Sequence, residues 1–131
     1  MAPSTATPSS TWIRSGTISG NTVSSYQKNG ITVTNTIGSE TLVTSASVLN
    51  NVVTGEGHID YIAQNGIQIS RGATGVVKGN TVSGNWYTPA GTTACGLLLF
   101  EARGVKTTNN TLFDNEKNLC NFGRGGGNVK P

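Results

Sequence analysis

Along most of the chain, apolar residues alternate with polar ones over short stretches that open on Asn or Gly. In Asn29-Gly30-Ile31-Thr32-Val33 the apolar positions are 31 and 33, and in Asn65-Gly66-Ile67-Gln68-Ile69 they are 67 and 69. A period of two puts such side chains on one face of an extended segment, so each stretch reads as a half-buried strand. No window carries apolar residues at 3.6 spacing over three helical turns, so helix is not expected. These stretches sit inside a longer pattern. Ile18-Ser19-Gly20-Asn21-Thr22-Val23 returns as Val48-Leu49-Asn50-Asn51-Val52-Val53 and as Val77-Lys78-Gly79-Asn80-Thr81-Val82. A weaker copy is Thr107-Thr108-Asn109-Asn110-Thr111-Leu112. The repeated residue is Asn21, Asn51, Asn80 and Asn110, at spacings of 30, 29 and 30.

A repeat of that size cannot bury an apolar face alone and must stack on its neighbours. The pattern predicts two strands per repeat. Rung one runs from Gly16 to about Asn35, and the segment from Thr41 to Thr44 leads into rung two. Rungs two and three each carry an excursion, Gly55 to Tyr61 and Asn85 to Gly91. The second strand of rung three is Cys95-Gly96-Leu97-Leu98-Leu99-Phe100, and that of rung four is a degraded one around Asn118-Leu119-Cys120. Like residues then stack as columns: Ile18/Val48/Val77, Val23/Val53/Val82/Leu112 and Ile31/Ile67/Leu97. The repeated Asn suits a tight turn because its short side chain tolerates left-handed backbone. Stacked Asn amides also hydrogen-bond to one another, forming a ladder. Parallel crossovers are right-handed in nearly all cases. The expected fold is all-β: a short single-stranded right-handed parallel β-helix (a solenoid) of about four rungs over residues 12–122. Residues 1–11 are rich in Pro, Ser and Thr and read as a flexible linker or tail; residues 123–131 read as a Gly-rich mobile tail.

Composition narrows this only slightly. At 131 residues the chain suits one domain. Charged residues are 11% and apolar ones 34%, too apolar for a disordered chain and, with 18 Gly, too rich in turn-formers for a helical one. The net charge of +3 comes from scattered residues and makes no basic stripe, so nucleic acid is not an expected partner. No apolar run approaches the ~18 residues of a membrane span, so no membrane partner is expected either. Met1 to Ser10 has neither a basic start nor an apolar core, so no signal peptide is expected there.

The Gly-Asn-Thr-Val and Asn-Gly-Ile-x-Ile/Val motifs resemble those of the right-handed parallel β-helix superfamily, which includes pectate-lyase-like and other carbohydrate-associated proteins. Residues 62–72 through 96–100 are similar to bacterial, largely actinobacterial, β-helix proteins without a defined activity. The resemblance covers roughly residues 16–120. It implies the fold, a polysaccharide or glycan as partner and an extracellular or cell-surface setting, and it is nearly silent on chemistry.

The candidate chemistry is sparse. Polysaccharide hydrolysis needs two carboxylates facing one bond, and the family's lyases use clustered Asp with calcium. The acids are Glu40, Glu56, Asp60, Glu101, Asp114 and Glu116, and no two share a column on adjacent rungs. No metal or other cofactor is therefore expected. His58 with Glu56 and Asp60 is the one group with catalytic residue types, and in a strand positions 58 and 60 point to one side. Arg71-Gly72 and Arg103-Gly104 follow second strands at nearly matching places. They read either as a fork for an acidic sugar, with Glu101 between them, or as solvated turn residues. Tyr26, Tyr61, Trp86 and Tyr87 fall between first and second strands, hence on one side of the coil. They read equally as a platform for sugar rings and as a lid over the excursion. Phe100, Phe113 and Phe122 are expected in the core or as end covers. Cys95 and Cys120 lie one rung apart with registers about three residues out of step, so the sequence leaves a disulfide open.

Three functions follow. The first is a non-catalytic carbohydrate-binding or surface-structural module contacting its ligand through Tyr61, Trp86, Tyr87, Arg71 and Arg103. The second is a polysaccharide lyase, hydrolase or epimerase, or a fragment of one, using His58 with Glu56 or Asp60. The third is a self-assembling element whose exposed ends stack on copies of itself, since each end leaves a row of unpaired backbone groups.

Overall fold

The computed structural model describes residues 12–35 and 42–123. The described chain is made of strands and turns. In order they are β1 (Trp12–Ser19), β2 (Thr22–Ser24) and β3 (Asn29–Thr34), then β4 (Leu42–Leu49), β5 (Val52–Ile59) and β6 (Asn65–Ser70). The third tier is β7 (Thr74–Lys78), β8 (Thr81–Tyr87) and β9 (Cys95–Phe100). The fourth is β10 (Lys106–Thr108), β11 (Thr111–Phe113) and β12 (Lys117–Phe122). Three four-stranded sheets run along the coil, in the orders β1-β4-β7-β10, β2-β5-β8-β11 and β3-β6-β9-β12. Every pairing is parallel. The chain returns to its starting sheet three times and so stacks four tiers.

Each tier holds three strands where the sequence pattern predicts two. The Gly-Asn turn is a true corner, so what reads as one first strand is split into β1 and β2, and likewise in later tiers. Residues 42–44, expected as a lead-in to the second tier, belong to β4, while Thr41 and Glu40 lie outside the described residues. So do the tail 1–11 and all but Gly123 of the tail 123–131.

The columns form as expected. Ile18 pairs Val48 and Val48 pairs Val77. Val23, Val53, Val82 and Leu112 are successive partners, as are Ile31, Ile67, Leu97 and Leu119. A further column runs Val33, Ile69, Leu99, Asn121. Val48, Val53, Ile67, Val82 and Leu99 are fully buried in one continuous core. Burying each such side chain contributes about 1.5–3 kcal/mol.

The Asn-Gly step has a separate reason. Gly30, Gly66 and Gly96 are skipped by the ladders of the third sheet. A Cβ on Gly66 would lie 2.2 Å from Val82 Cγ1 and 2.7 Å from the Gly96 carbonyl oxygen. Both Gly66 and the following Ile67 therefore face the core, and the alternation breaks there. The same break at Gly96-Leu97 leaves Cys95 and Leu98 on one outer side, lining one cleft. Cys120 is the ladder partner of Leu98, and it closes a disulfide to Cys95 across a Cα–Cα distance of 6.0 Å. The three-residue offset seen in the sequence is absorbed by that bend.

The phenylalanines depart from expectation. Phe100, Phe113 and Phe122 are all exposed, and none covers a core. Ile13, near the start of β1, is 68% exposed. Tyr26, grouped by the sequence with the outward aromatics, turns inward, packs against the core and donates its hydroxyl proton to Asn85 Oδ1 at 2.6 Å.

Candidate functional site

The second sheet is longer than its repeat requires. β5 and β8 stay paired beyond the Val53–Val82 column, with a register shift between Thr54 and Gly57. That bulge turns the Glu56 N–H toward the fully buried Gln64, whose Oε1 accepts it at 2.8 Å. Gln64 Nε2 in turn donates to the Tyr26 carbonyl at 2.6 Å and to Glu56 Oε1 at 3.2 Å. The Tyr61 hydroxyl donates to the same carboxylate oxygen at 2.5 Å. That bond, with the Glu56 and Asp60 charges nearby, pushes the Tyr61 hydroxyl pKa upward. Glu56 is thus held by two donors.

His58 pairs Trp86 across the tiers, and their rings stack at 4.1 Å with 20° between planes. The Trp86 indole N–H donates to the Asp114 carbonyl at 2.9 Å. Trp86 therefore spends one flat face on His58 and its polar edge on the backbone. Asp60 is exposed just past β5. Among the described residues no hydrogen bond joins His58 to Glu56 or Asp60; His58 stacks on Trp86, and Glu56 accepts from Tyr61 and Gln64. The backbone N–H groups of Tyr87 and Ala94 both donate to Glu116 Oε1, at 3.2 and 2.9 Å, so this carboxylate ties down both ends of the excursion. Among the described residues no three His, Cys, Asp or Glu side chains gather as a metal site.

The two arginines are not in matching places. Arg71 and Glu101 both adopt left-handed backbone, with φ of 58° and 55°. The Arg71 N–H donates to the Phe100 carbonyl and the Glu101 N–H to the Phe122 carbonyl, at 2.9 and 2.8 Å. Arg71 therefore stacks over Glu101. The Arg103 N–H donates to Ala73 O at 2.9 Å, two residues further along the turn. The five contact residues expected from the sequence form two groups. Tyr61, Trp86 and Tyr87 precede β6 and β9, and the arginines follow them, about 20 Å of strand away.

Between those groups lies the outer face of the third sheet. Alternation sends two columns outward: Thr32/Gln68/Leu98/Cys120 and Thr34/Ser70/Phe100/Phe122. Phe100 is 38% and Phe122 56% exposed, and their rings meet edge to face with centroids 6.4 Å apart. They border a cleft of about 240 Å3 whose other walls include Lys28, Asn65, Thr92 and Thr93, with the Cys95 disulfide on its floor. Lys28 Nζ donates to the Ala63 carbonyl, and burial lowers its pKa. Asn65 donates to Asn29 Oδ1 at 3.2 Å and accepts from the Cys95 N–H at 3.2 Å, which fixes its amide along the cleft wall.

The model of the right-handed β-helix region matches residues 9–129. The chain belongs to the right-handed β-helix family. No curated protein and no solved structure matches it. In this β-helix the pair Phe100 and Phe122, expected in the core or as end covers, instead lines the outer face. Period two, started from the inward Leu97, already sends Leu98 and Phe100 outward. What the β-helix offers here is a rigid, partly apolar trough edged by amide, hydroxyl and ammonium groups. Such a surface can hold a ligand that presents C–H faces and hydroxyls together.

Proposed function

We propose that this β-helix is a non-catalytic carbohydrate-binding module, and that the glycan lies over the outer face of the third sheet. One observation carries the reading. Two exposed phenyl rings on adjacent tiers, set edge to face, border a cleft walled by Lys28, Asn65, Thr92 and Thr93. Rings supply apolar area for sugar C–H faces, and the amide and hydroxyl groups orient the sugar hydroxyls. Tyr61, Trp86 and Tyr87 at one end of the trough, and Arg71 and Arg103 at the other, would touch only a ligand long enough to run the length of the strands. The disulfide on the cleft floor supports an extracellular or cell-surface setting, where such bonds persist. Engagement of Glu56 by Tyr61 and Gln64, and of His58 by Trp86, favours binding over catalysis at the acidic group.

The test is a glycan array followed by titration of any hit. Phe122→Ala should weaken binding about tenfold or more, roughly 1.4 kcal/mol, without lowering the melting temperature. Binding weakened by Tyr61→Ala and untouched by Phe122→Ala would move the glycan to the β5/β8 side. No hit on the array would end the reading. Release of ultraviolet-absorbing unsaturated sugars from pectin, alginate or glycosaminoglycans would replace it with a lyase.

A further inference from the structure

The asparagine-to-asparagine bonds that join the tiers all have one polarity. The backbone N–H and the side-chain amide of Asn21 donate to Asn51 Oδ1; those of Asn51 donate to Asn80 Oδ1, and those of Asn80 to Asn110 Oδ1. One end of the file therefore carries the Asn21 side-chain oxygen, and the other carries the Asn110 N–H, with no partner for either among the described residues. The backbone beside this file bonds in both directions and likewise leaves groups over at each end. Val52, Thr81 and Thr111 N–H groups donate back to the carbonyls of Asn21, Asn51 and Asn80, which leaves the Asn110 carbonyl. Gly20, Asn50 and Gly79 N–H groups donate forward to Leu49, Lys78 and Thr108, which leaves the Asn109 N–H. The first tier presents the complements: the Thr22 N–H, Asn21 Oδ1, and the Ser19 carbonyl, which accepts the Asn21 side-chain amide at 3.2 Å and keeps a second lone pair for another donor.

The side chains tell the same story. The columns are fully buried in the middle tiers and partly exposed only at the ends, at Ile18 and Val23 on one side and Leu112 and Leu119 on the other. At the first tier the core opens into a cavity of about 410 Å3 bounded by Gly16, Ile18, Val33 and Ala46. The last tier ends in Leu112, Leu119 and Asn121, members of the very columns that Val23, Ile31 and Val33 begin.

We propose that the fourth tier of one copy of this chain seats on the first tier of another, head to tail, so that all three sheets and the asparagine file continue across the junction. The Asn110 N–H would meet Asn21 Oδ1 of the next copy, the Asn109 N–H its Ser19 carbonyl, and the Asn110 carbonyl its Thr22 N–H. Leu112 would cover Val23, and Leu119 would cover Ile31. The two surfaces differ, so the contact is heterologous and does not close on itself; repeated, it builds a filament. This inference stands on the ends of the coil and is independent of the glycan reading, which stands on its flank.

The test uses the full chain in sedimentation velocity over a wide concentration range, with electron microscopy at the top of it. Two variants block one end each. A side chain at Gly16 meets nothing within 4 Å, so Gly16→Glu leaves the fold intact and puts a charge in the open mouth of the first tier. Asn121 is exposed on the last tier, and Asn121→Lys puts a charge at the end of the Val33 column. The wild-type mass should climb with concentration, and each variant alone should remain monomeric with an unchanged melting temperature. An equimolar mixture of the variants should give dimers and nothing larger, because only one productive junction remains. A wild type that stays monomeric throughout overturns the proposal, as do variants that assemble like the wild type or a mixture that forms no dimer. Should Gly16→Glu fail to fold, Asn121→Lys alone decides by whether it assembles.

Discussion

The side-chain oxygen of Asn80 accepts both the backbone N–H and the side-chain amide of Asn51, each at 2.9 Å, while its own amide donates to the Val48 carbonyl at 2.9 Å. One buried side chain thus satisfies three polar groups belonging to the tier above. A turn in a stacked coil has no ladder of its own, and its backbone groups would be buried without partners. At the first corner of the upper three tiers the Asn file supplies a partner for the asparagine N–H, beside the backbone bonds made by its neighbours.

Asn80→Ala should therefore cost about 2–4 kcal/mol, since it strands buried donors and an acceptor that each carry a penalty of ~1–3 kcal/mol when partly resatisfied by water. Asn21→Ala, at the exposed end of the same file, should cost under about 1 kcal/mol. Urea unfolding of the two variants checks the contrast; equal losses would mean that the file is not what holds the corners.

Gly66→Ala should be among the most damaging single substitutions. The added methyl would sit 2.2 Å from Val82 Cγ1 and 2.7 Å from the Gly96 carbonyl oxygen, and the rigid backbone one tier below cannot retreat. Overpacking typically costs about 1–3 kcal/mol, and here the upper end or beyond is expected. Gly16→Ala, which meets open space, serves as the neutral control. Thermal melts of both give the answer.

The Cys95–Cys120 bridge spans 25 residues of chain. Closing a loop of that size in the unfolded ensemble is worth about 3 kcal/mol. Reduction, or the double change Cys95→Ser with Cys120→Ser, should lower the urea midpoint accordingly. Hydrogen exchange should accelerate first in β12, which loses its covalent tie to β9 and has no tier beyond it.

Alkali should loosen the interior around Tyr26. Burial raises its phenol to about 12, partly offset by the hydrogen bond to Asn85. The folded value lies above the ordinary 10, so the folded state holds the proton more tightly than the unfolded chain does. The stability this confers is complete below pH 10 and is lost as the pH rises from there toward about 12. Tyr26→Phe should flatten that decline. Phenolate absorbance of the wild type minus that of Tyr26→Phe should isolate a late-titrating phenol; a Tyr26 that ionises at the ordinary value of 10 would contradict its inward placement.

Particular residues show how far the flank was legible from the chain. Alternation puts His58 and Asp60 on one side of a strand, and His58, Glu56 and Asp60 are all exposed. Their partners could not be read, because Trp86 and Gln64 come from elsewhere in the chain and meet them only through the register of the second sheet and its bulge. Arg71 and Arg103 looked equivalent by their distance from a strand, yet the positive-φ turn residue is Glu101, so Arg71 stacks on an acid.

The 30-residue return of Asn and the period-two alternation determined, without any coordinates, the parallel coil, its four tiers and the apolar columns. Those features depend on spacing alone: like residues at like intervals stack wherever the coil closes. Tertiary structure decided what spacing cannot carry. It split each first strand at the asparagine corner, since a corner is a backbone event with no apolar signature. It brought Cys95 to Cys120 through a bend set by a core-facing glycine, and it left Phe100 and Phe122 outside. Which side of a strand meets the core is relative to its neighbours, and only the assembled tiers fix it.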